Sequence, residues 1–261
     1  MKPHDRLEQA LWDHFYLPRW VDVIDRPDLL ALRNDRGQPY FNCVYRARAT
    51  EYRDAEAMVN EVSEFHRDVP SRWQVADTTD IRNLQHALRR KGYVEEVEHD
   101  ARVIRITDFK LESSSSIEIR RVVDTSTLLD AWWTSDDAFG RTRRTKAQDE
   151  IDDELKQCRP DNARVQRFVA YLNGVPVASG GVNLFPDLSF AFLWGGGTVP
   201  EARRQGVYTA LLHKRLSHVA DKNIRYAGLY ARCNTSSPIV ANLGFEKVGH
   251  MSYWTRTIPA Q

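Results

Sequence analysis

At 261 residues, with 42% hydrophobic and 28% charged residues, the chain has an ordinary globular composition and enough apolar material for one large domain or two modest ones, which excludes global disorder. A formal net charge of +1 with both signs interspersed offers no overall field for nucleic acid or an anionic membrane, so any anion site must be local. Cys43, Cys158 and Cys233 are few, odd in number and far apart, which points to a reducing compartment; no CxxC or His-rich spacing marks a metal site, and no apolar run is long enough for a secretion signal or a membrane span. By exclusion a cytoplasmic protein is expected, and the oligomeric state stays open.

In chain order, Phe41 to Ala49 is predicted as a strand, and Asp54 to His66 as a helix with Ala55, Met58, Val59, Val62 and Phe65 on one face. Trp73 to Ala76 follows as a short strand, Asp80 to Lys91 as a helix, and Gly92-Tyr93 as its stop before another strand. The polar run Glu112-Ser113-Ser114-Ser115-Ser116 separates two apolar alternations, and a domain boundary is placed there, giving residues 1–112 and 113–261. Beyond it come a strand at Ile117 to Val122 and helices at Thr125 to Ala138 and Lys146 to Gln157. Asn173-Gly174 predicts a hairpin between Phe168 to Leu172 and Val175 to Val182, because both turn positions tolerate positive φ. A strand over Leu188 to Val199 then leads through a basic loop into a helix carrying Leu211, Leu212, Leu216 and Val219. Arg225 to Ala231 is a strand, Ser237 to Leu243 a short helix stopped by Gly244, and two closing strands are expected after Phe245.

The order in the C-terminal part is therefore β-α-α-β-β-β-α-β-α-β-β, a mixed α+β sheet fold. Strand, helix, strand, helix, Gly-aromatic and strand also occur in order in the N-terminal part, which is expected to be a weak internal duplicate. The two parts differ at the loop before the first of these helices. Thr50-Glu51-Tyr52-Arg53-Asp54 has no glycine and two acids, so it would repel a diphosphate. Its counterpart is Arg203-Arg204-Gln205-Gly206-Val207-Tyr208.

A diphosphate needs several converging backbone N–H groups, and a helix N-terminus supplies them with the positive end of its dipole. Three or four hydrogen bonds to a charged group, each about 1.5–3 kcal/mol, account for the about −8 kcal/mol of micromolar binding before ordering costs. Taken alone, the hexapeptide serves equally well as a diphosphate cradle or as a solvated strand-to-helix turn.

The stretch Val199-Pro200-Glu201-Ala202-Arg203-Arg204-Gln205-Gly206-Val207-Tyr208-Thr209-Ala210-Leu211-Leu212 resembles the acetyl-CoA signature of the GCN5-related N-acetyltransferase (GNAT) superfamily. That signature has Arg or Gln, two residues, Gly, one residue, then Gly or Ala; Arg203 and Gly206 match it, while Tyr208 stands where the small residue is usual. Asn234-Thr235-Ser236-Ser237-Pro238 followed by Leu243-Gly244-Phe245 resembles the family's later motif, an Asn after the fifth strand and a short helix ending in Leu-Gly-Phe. The resemblance covers roughly Ile117 to Thr255 and implies the GNAT acyl-CoA N-acyltransferase fold, duplicated as in tandem members with a degenerate N-terminal copy.

It further implies acetyl-CoA as co-substrate. The backbone of Arg204, Gln205, Gly206, Val207, Tyr208 and Thr209 would hold the pyrophosphate, with Arg203 as its cationic flank. Thr198 and Val199 would line the pantetheine arm, and Asn234 would bond it. The implied reaction is direct acetyl transfer to the amine of a small-molecule or amino-acid-like acceptor. The usual acid tyrosine is replaced by Val240, and the predicted strand from Leu188 to Val199 carries no acidic residue to serve as the base that some relatives place there; Ser237, at the N-terminus of the short helix, is left as a weak catalytic candidate. Asp136, Asp137 and Tyr253 are conceivable bases, each more readily explained as an ordinary surface or core residue. Cys233 fits an inert thiol better than a nucleophile, and the basic cluster Arg141 to Lys146 fits a solvated helix end. A non-catalytic acyl-CoA-binding or regulatory module, and a scaffold with a vestigial loop, are the competing expectations.

Overall fold

A computed structural model describes residues 1–36, 41–49, 51–77, 81–109, 117–161, 163–220 and 222–257. The elements are α1 (Pro3–Trp12), β1 (Asp22–Arg26), β2 (Leu29–Arg33), β3 (Cys43–Ala47), α2 (Tyr52–Phe65), β4 (Ser71–Ala76), α3 (Arg82–Arg90) and β5 (Val94–Arg105). They continue with β6 (Glu118–Arg121), α4 (Thr125–Ala138), α5 (Gln148–Cys158), β7 (Val165–Leu172), β8 (Val175–Phe185), β9 (Phe190–Thr198), α6 (Val207–Ala220), β10 (Tyr226–Arg232), α7 (Ser236–Asn242) and β11 (Glu246–Arg256). No helix among the described residues is long and apolar enough to cross a membrane.

By its contacts the chain divides into one unit made of Met1–Arg102 with Tyr230–Gln261 and a second made of Val103–Leu229. The boundary expected at 112/113 lies outside the described residues, as does the serine run beside it.

In the first unit the strand order is β1-β2-β3-β4-β11-β5. β3 and β4 are parallel, whereas β4 and β11 are antiparallel from Ser71↔Arg256 to Ala76↔Met251. α2 and α3 supply Ala55, Met58, Val59, Val62, Leu84, Ala87 and Leu88 to a core that closes on Trp73 and Trp254, both fully buried. The 3.6-residue spacing of those apolar positions makes the helices, and burial of that stripe holds them to the sheet. α1, β1 and β2 have no counterpart in the sequence prediction, and one closing strand, β11, replaces the two expected after Phe245 among the described residues. The eleven residues of β11 leave room for a single long strand, and six of them find a complete ladder on β4.

In the second unit β9, β8, β7 and β6 are antiparallel neighbours in that order, and β10 joins β9 in parallel. The β7–β8 turn is the predicted hairpin, with Asn173 at φ 52° and Gly174 at φ 79°. α4 begins at a real cap: the Asp124 carboxylate accepts from Thr127 N at 2.8 Å. Leu128, Phe168, Phe190, Leu211, Leu212, Leu216 and Val219 form its core, each at most 1% exposed.

Two helix ends repeat one another. Tyr93 N donates to Leu88 O after Gly92 at φ 83°, and Phe245 N donates to Val240 O after Gly244 at φ 91°. Both are left-handed glycine stops with the same six-residue return bond.

Candidate active site

β9 is interrupted where the second unit builds its site. Ser179 faces Gly197 and Gly181 faces Trp194, so Gly180 stands opposite both Gly195 and Gly196. Gly195 takes the extra position at φ 60°, a conformation few side chains adopt, and the strand bends there. The parallel pairing of β9 with β10 runs only from Phe190↔Tyr226 to Phe192↔Gly228, while β9 continues to Thr198.

The strand is also thinned on both faces. A Cβ on Gly197 would meet Ala138 and Phe139 at the end of α4, at 3.0 and 3.1 Å. On Gly196 it would lie 3.1 Å from the ring of Tyr208 and from Arg215 of α6, and on Gly180 it would lie 2.9 Å from Arg215 Nη1. The unusual Tyr208 is thereby explained: its ring turns into the sheet, where Gly196 leaves the space, and away from the loop amides. Its phenol bonds Arg215, and burial holds the phenol above the ordinary tyrosine range.

Arg215 is 1% exposed and faces no carboxylate within ion-pair distance among the described residues. It bonds Leu211 O, Gly181 O and the Tyr208 phenol, and burial lowers its pKa. A buried lone charge carries a desolvation penalty that hydrogen bonds only partly offset. Arg215→Met is therefore expected to unfold in urea within about 1 kcal/mol of the parent, or above it. Arg215→Ala is expected to lose about 2–5 kcal/mol, because the glycines beside it cannot fill the hole. Equal losses in the two variants would show that the charge itself holds the site.

Beyond β9 the chain turns through Pro200–Ala202 into a loop with Arg204 at φ 62° and Gly206 at φ 76°. Two left-handed residues in three turn successive amides outward. Ala210 N returns to Gly206 O, but among the described residues no acceptor is present for the amides of Arg204, Gln205, Gly206, Val207, Tyr208 and Thr209. Residues 203–206 are exposed, so the row of donors opens to solvent at the positive end of α6. No protein atom lies within 4 Å of where a Gly206 Cβ would stand, and its φ of 76° is one that few side chains adopt.

Arg203 donates to Thr198 O and Ala138 O, each at 3.2 Å, and so ties the end of β9 to the end of α4. Arg204 has no side-chain partner among the described residues. The Thr198 hydroxyl is enclosed and unpartnered at the end of β9. An array of open amides, a free guanidinium and an orphaned hydroxyl in one stretch match an elongated, anionic, hydrogen-bonding ligand.

Residues 128–245 match the profile of the Acetyltransferase (GNAT) family. The matched stretch, a little under half of the chain, contains β9, the loop after it and α6. Among solved structures it is similar to a GCN5-related N-acetyltransferase from Kribbella flavida (15% identity, 99% of this chain and 95% of that one, TM-score 0.70). It is also similar to a GCN5-related N-acetyltransferase from Sphaerobacter thermophilus (15%, 91% and 76%, 0.62). A third is a tandem GNAT protein from the clavulanic acid biosynthesis pathway (13%, 98% and 89%, 0.60). At these identities the likeness is one of fold. No curated protein matches the chain.

Of the other predicted positions, Asn234, Ser237, Val240, Cys233 and Tyr253 lie in the first unit, and Asp136, Asp137 and the basic cluster lie in the second. Asn234 is exposed in the turn after β10. Ser237 is buried, donating to the Asp100 carboxylate and accepting from Arg102 Nε at 2.7 Å. Val240 is fully buried. Cys233 is half-buried and its Sγ lies 3.5 Å from Asp100 Oδ1; burial and that carboxylate raise the thiol pKa, which opposes a nucleophilic thiolate. Asp136 and Asp137 pair with Arg141 and Arg143, so the basic cluster meets acids of its own unit. Tyr253 lies between the His99 ring and the Arg72 guanidinium.

Two groups escaped sequence reading. Asp100, Cys233 and His250 offer ligand atoms within 4.8 Å of one another, although Lys247 Nζ already sits 2.7 Å from Asp100 Oδ1. Burial works against the charged Asp100 carboxyl, yet Lys247, Ser237 and Cys233 hold its pKa down at about 2. The second group surrounds Glu8 of α1. Neither has a motif, because each joins residues from distant parts of the chain.

Proposed function

We propose that the chain is an acyltransferase that moves an acetyl group from acetyl-CoA directly to the amine of a small-molecule or amino-acid-like acceptor. The observation that carries the reading is the run of open amides from Arg204 to Thr209 at the start of α6. In this reading those amides hold the pyrophosphate, and Arg204 takes the role of cationic flank while Arg203 positions the loop. Thr198 and Val199 line the pantetheine arm, the orphaned Thr198 hydroxyl finding its acceptor there, and Asn234 bonds the arm from the other motif. Ser237 acts only through Asp100 and Arg102. Residues 1–112 are read as a degenerate copy of the fold of residues 113–261, on the strength of the matching stops at Gly92 and Gly244 and of an α2 entry that begins with Glu51 and carries Asp54 in its first turn.

A second reading, a non-catalytic acyl-CoA-binding module, is favoured by Val240, an aliphatic side chain where relatives place an acid tyrosine. One experiment separates them: calorimetric titration with acetyl-CoA, followed by acetyl transfer to a panel of amines. Micromolar binding with turnover is expected. Binding without turnover on any amine supports the module, and no binding sinks both readings.

A further inference from the structure

Asp100 of β5, Cys233 in the turn after β10 and His250 of β11 all belong to the first unit, and their side chains meet on one oxygen. Cys233 Sγ and His250 Nδ1 each lie 3.5 Å from Asp100 Oδ1, and the three ligand atoms stand within 4.8 Å of one another. A thiol, an imidazole and a carboxylate are the donor set of a borderline-soft divalent ion, zinc above all. Tetrahedral bonds of about 2.3 Å to sulfur, about 2.05 Å to nitrogen and about 2.0 Å to oxygen put the sulfur about 3.5 Å and the nitrogen about 3.3 Å from the oxygen. Both observed distances to Oδ1 are those of such a tetrahedral edge to within about 0.2 Å.

The groups around the cluster orient it. Asp100 is 6% exposed, and its other oxygen, Oδ2, accepts from the Ser237 hydroxyl and, at 3.4 Å, from Arg102 Nη2. Arg102 is itself fixed by Ser237 Oγ and Phe245 O. These partners hold the carboxylate and leave Oδ1 to the thiol and the ring, as the outer groups of a metal centre hold its ligands. The backbone fixes the other two residues. Cys233 N donates to Glu98 O at 3.3 Å, His250 N donates to Asp77 Oδ1 at 2.9 Å, and Asp77 N donates to His250 O at 3.2 Å. Oδ1 already holds a cation, since Lys247 Nζ stands 2.7 Å from it. A lysine–carboxylate pair alone accounts for neither the thiol nor the imidazole on that same oxygen. The Lys247 side chain is 43% exposed on a flexible stem, so its ammonium can leave for water, and the His250 side chain, 48% exposed, opens the cluster to solvent.

We propose that Asp100, Cys233 and His250 form a binding site for a zinc-class divalent cation, which displaces the ammonium of Lys247. On binding, Asp100 Oδ1, His250 Nδ1 and Cys233 Sγ each bond the ion, the thiol proton passes to solvent, and a water completes the tetrahedron. The thiolate and the carboxylate balance the divalent charge, and Lys247 turns outward. The ion ties β5 to two segments from the far end of the chain and so stabilises the first unit. Every group in the cluster lies in that unit, so the site stands independently of the acetyl-transfer reading.

The test titrates the full chain, stripped with EDTA, with zinc chloride in a calorimeter, beside Cys233→Ser, His250→Gln and Lys247→Met. The parent is expected to bind one zinc and to melt higher with it. Cys233→Ser and His250→Gln should each weaken binding about 100-fold, and Lys247→Met should tighten it about tenfold. Without metal, all three should melt close to the parent, which separates lost binding from lost fold. Cobalt(II) in place of zinc should give the intense visible bands of four-coordination and a near-ultraviolet thiolate-to-metal band, the latter absent in Cys233→Ser. A parent that binds no zinc overturns the site and leaves an ion-pair network around Lys247. Equal affinity in the parent, Cys233→Ser and His250→Gln overturns it as well, since the ion then lies elsewhere. Binding by Lys247→Met no tighter than by the parent overturns the displacement of the ammonium.

Discussion

A fragment ending at residue 112 is expected to show no cooperative unfolding transition in urea or on heating. It would lack β11, whose six residues from Met251 to Arg256 pair with the whole of β4. β4 is the inner strand on which α2 and α3 close, so its loss of a neighbour exposes a row of backbone donors and the ring of Trp73. Truncating one buried tryptophan, as in a Trp254→Ala change, costs about 3–5 kcal/mol, against a total stability of about 5–15 kcal/mol for a domain. Removing the strand takes the ladder as well as the ring. Circular dichroism across a urea series checks this, and a sharp transition in the fragment would show that residues 1–112 fold alone.

Gly206→Asp is expected to weaken acetyl-CoA binding by at least 100-fold, about 2.7 kcal/mol, while the fold stays intact. Nothing lies within 4 Å of the position its Cβ would take, so no core atom is displaced. Two effects act on the loop. A side chain at φ 76° is strained by about 1–2 kcal/mol, and a carboxylate beside the open amides competes for them and repels the diphosphate. Gly206→Ala separates the two, since it carries the strain without the charge, and should lose only about tenfold at most. Calorimetry of the three proteins measures the difference, and equal affinity in Gly206→Asp and the parent would remove Gly206 from the cofactor site.

The legible parts of the fold were those whose information is local. α4 occupies Thr125–Ala138 as predicted because an Asp124 cap and a 3.6-residue apolar stripe lie within one stretch. The Asn173-Gly174 hairpin and the stops at Gly92 and Gly244 are fixed by residues that tolerate positive φ. β1, Asp-Val-Ile-Asp-Arg, has too little apolar alternation to declare itself, and its pairing with β2 is what makes it a strand. The loop from Arg203 to Thr209 could be singled out from the sequence because its two arginines, its glycine and the helix start are contiguous. The group of Asp100, Cys233 and His250 was not, since it is made by what the fold brings together: Cys233 and His250 are 133 and 150 positions further along the chain than Asp100. Spacing within a sequence carries no trace of such a meeting.

The first unit draws its sixth strand from the far end of the chain, and this sets an order in time. During synthesis Val103–Leu229 is a contiguous unit that can close on itself as it emerges, whereas Met1–Arg102 must wait for β11. At about 5–20 residues per second the remaining chain takes on the order of ten seconds to make. For that interval β4 is an open template with a tryptophan beside it, so Met1–Arg102, made before the second unit, is finished after it.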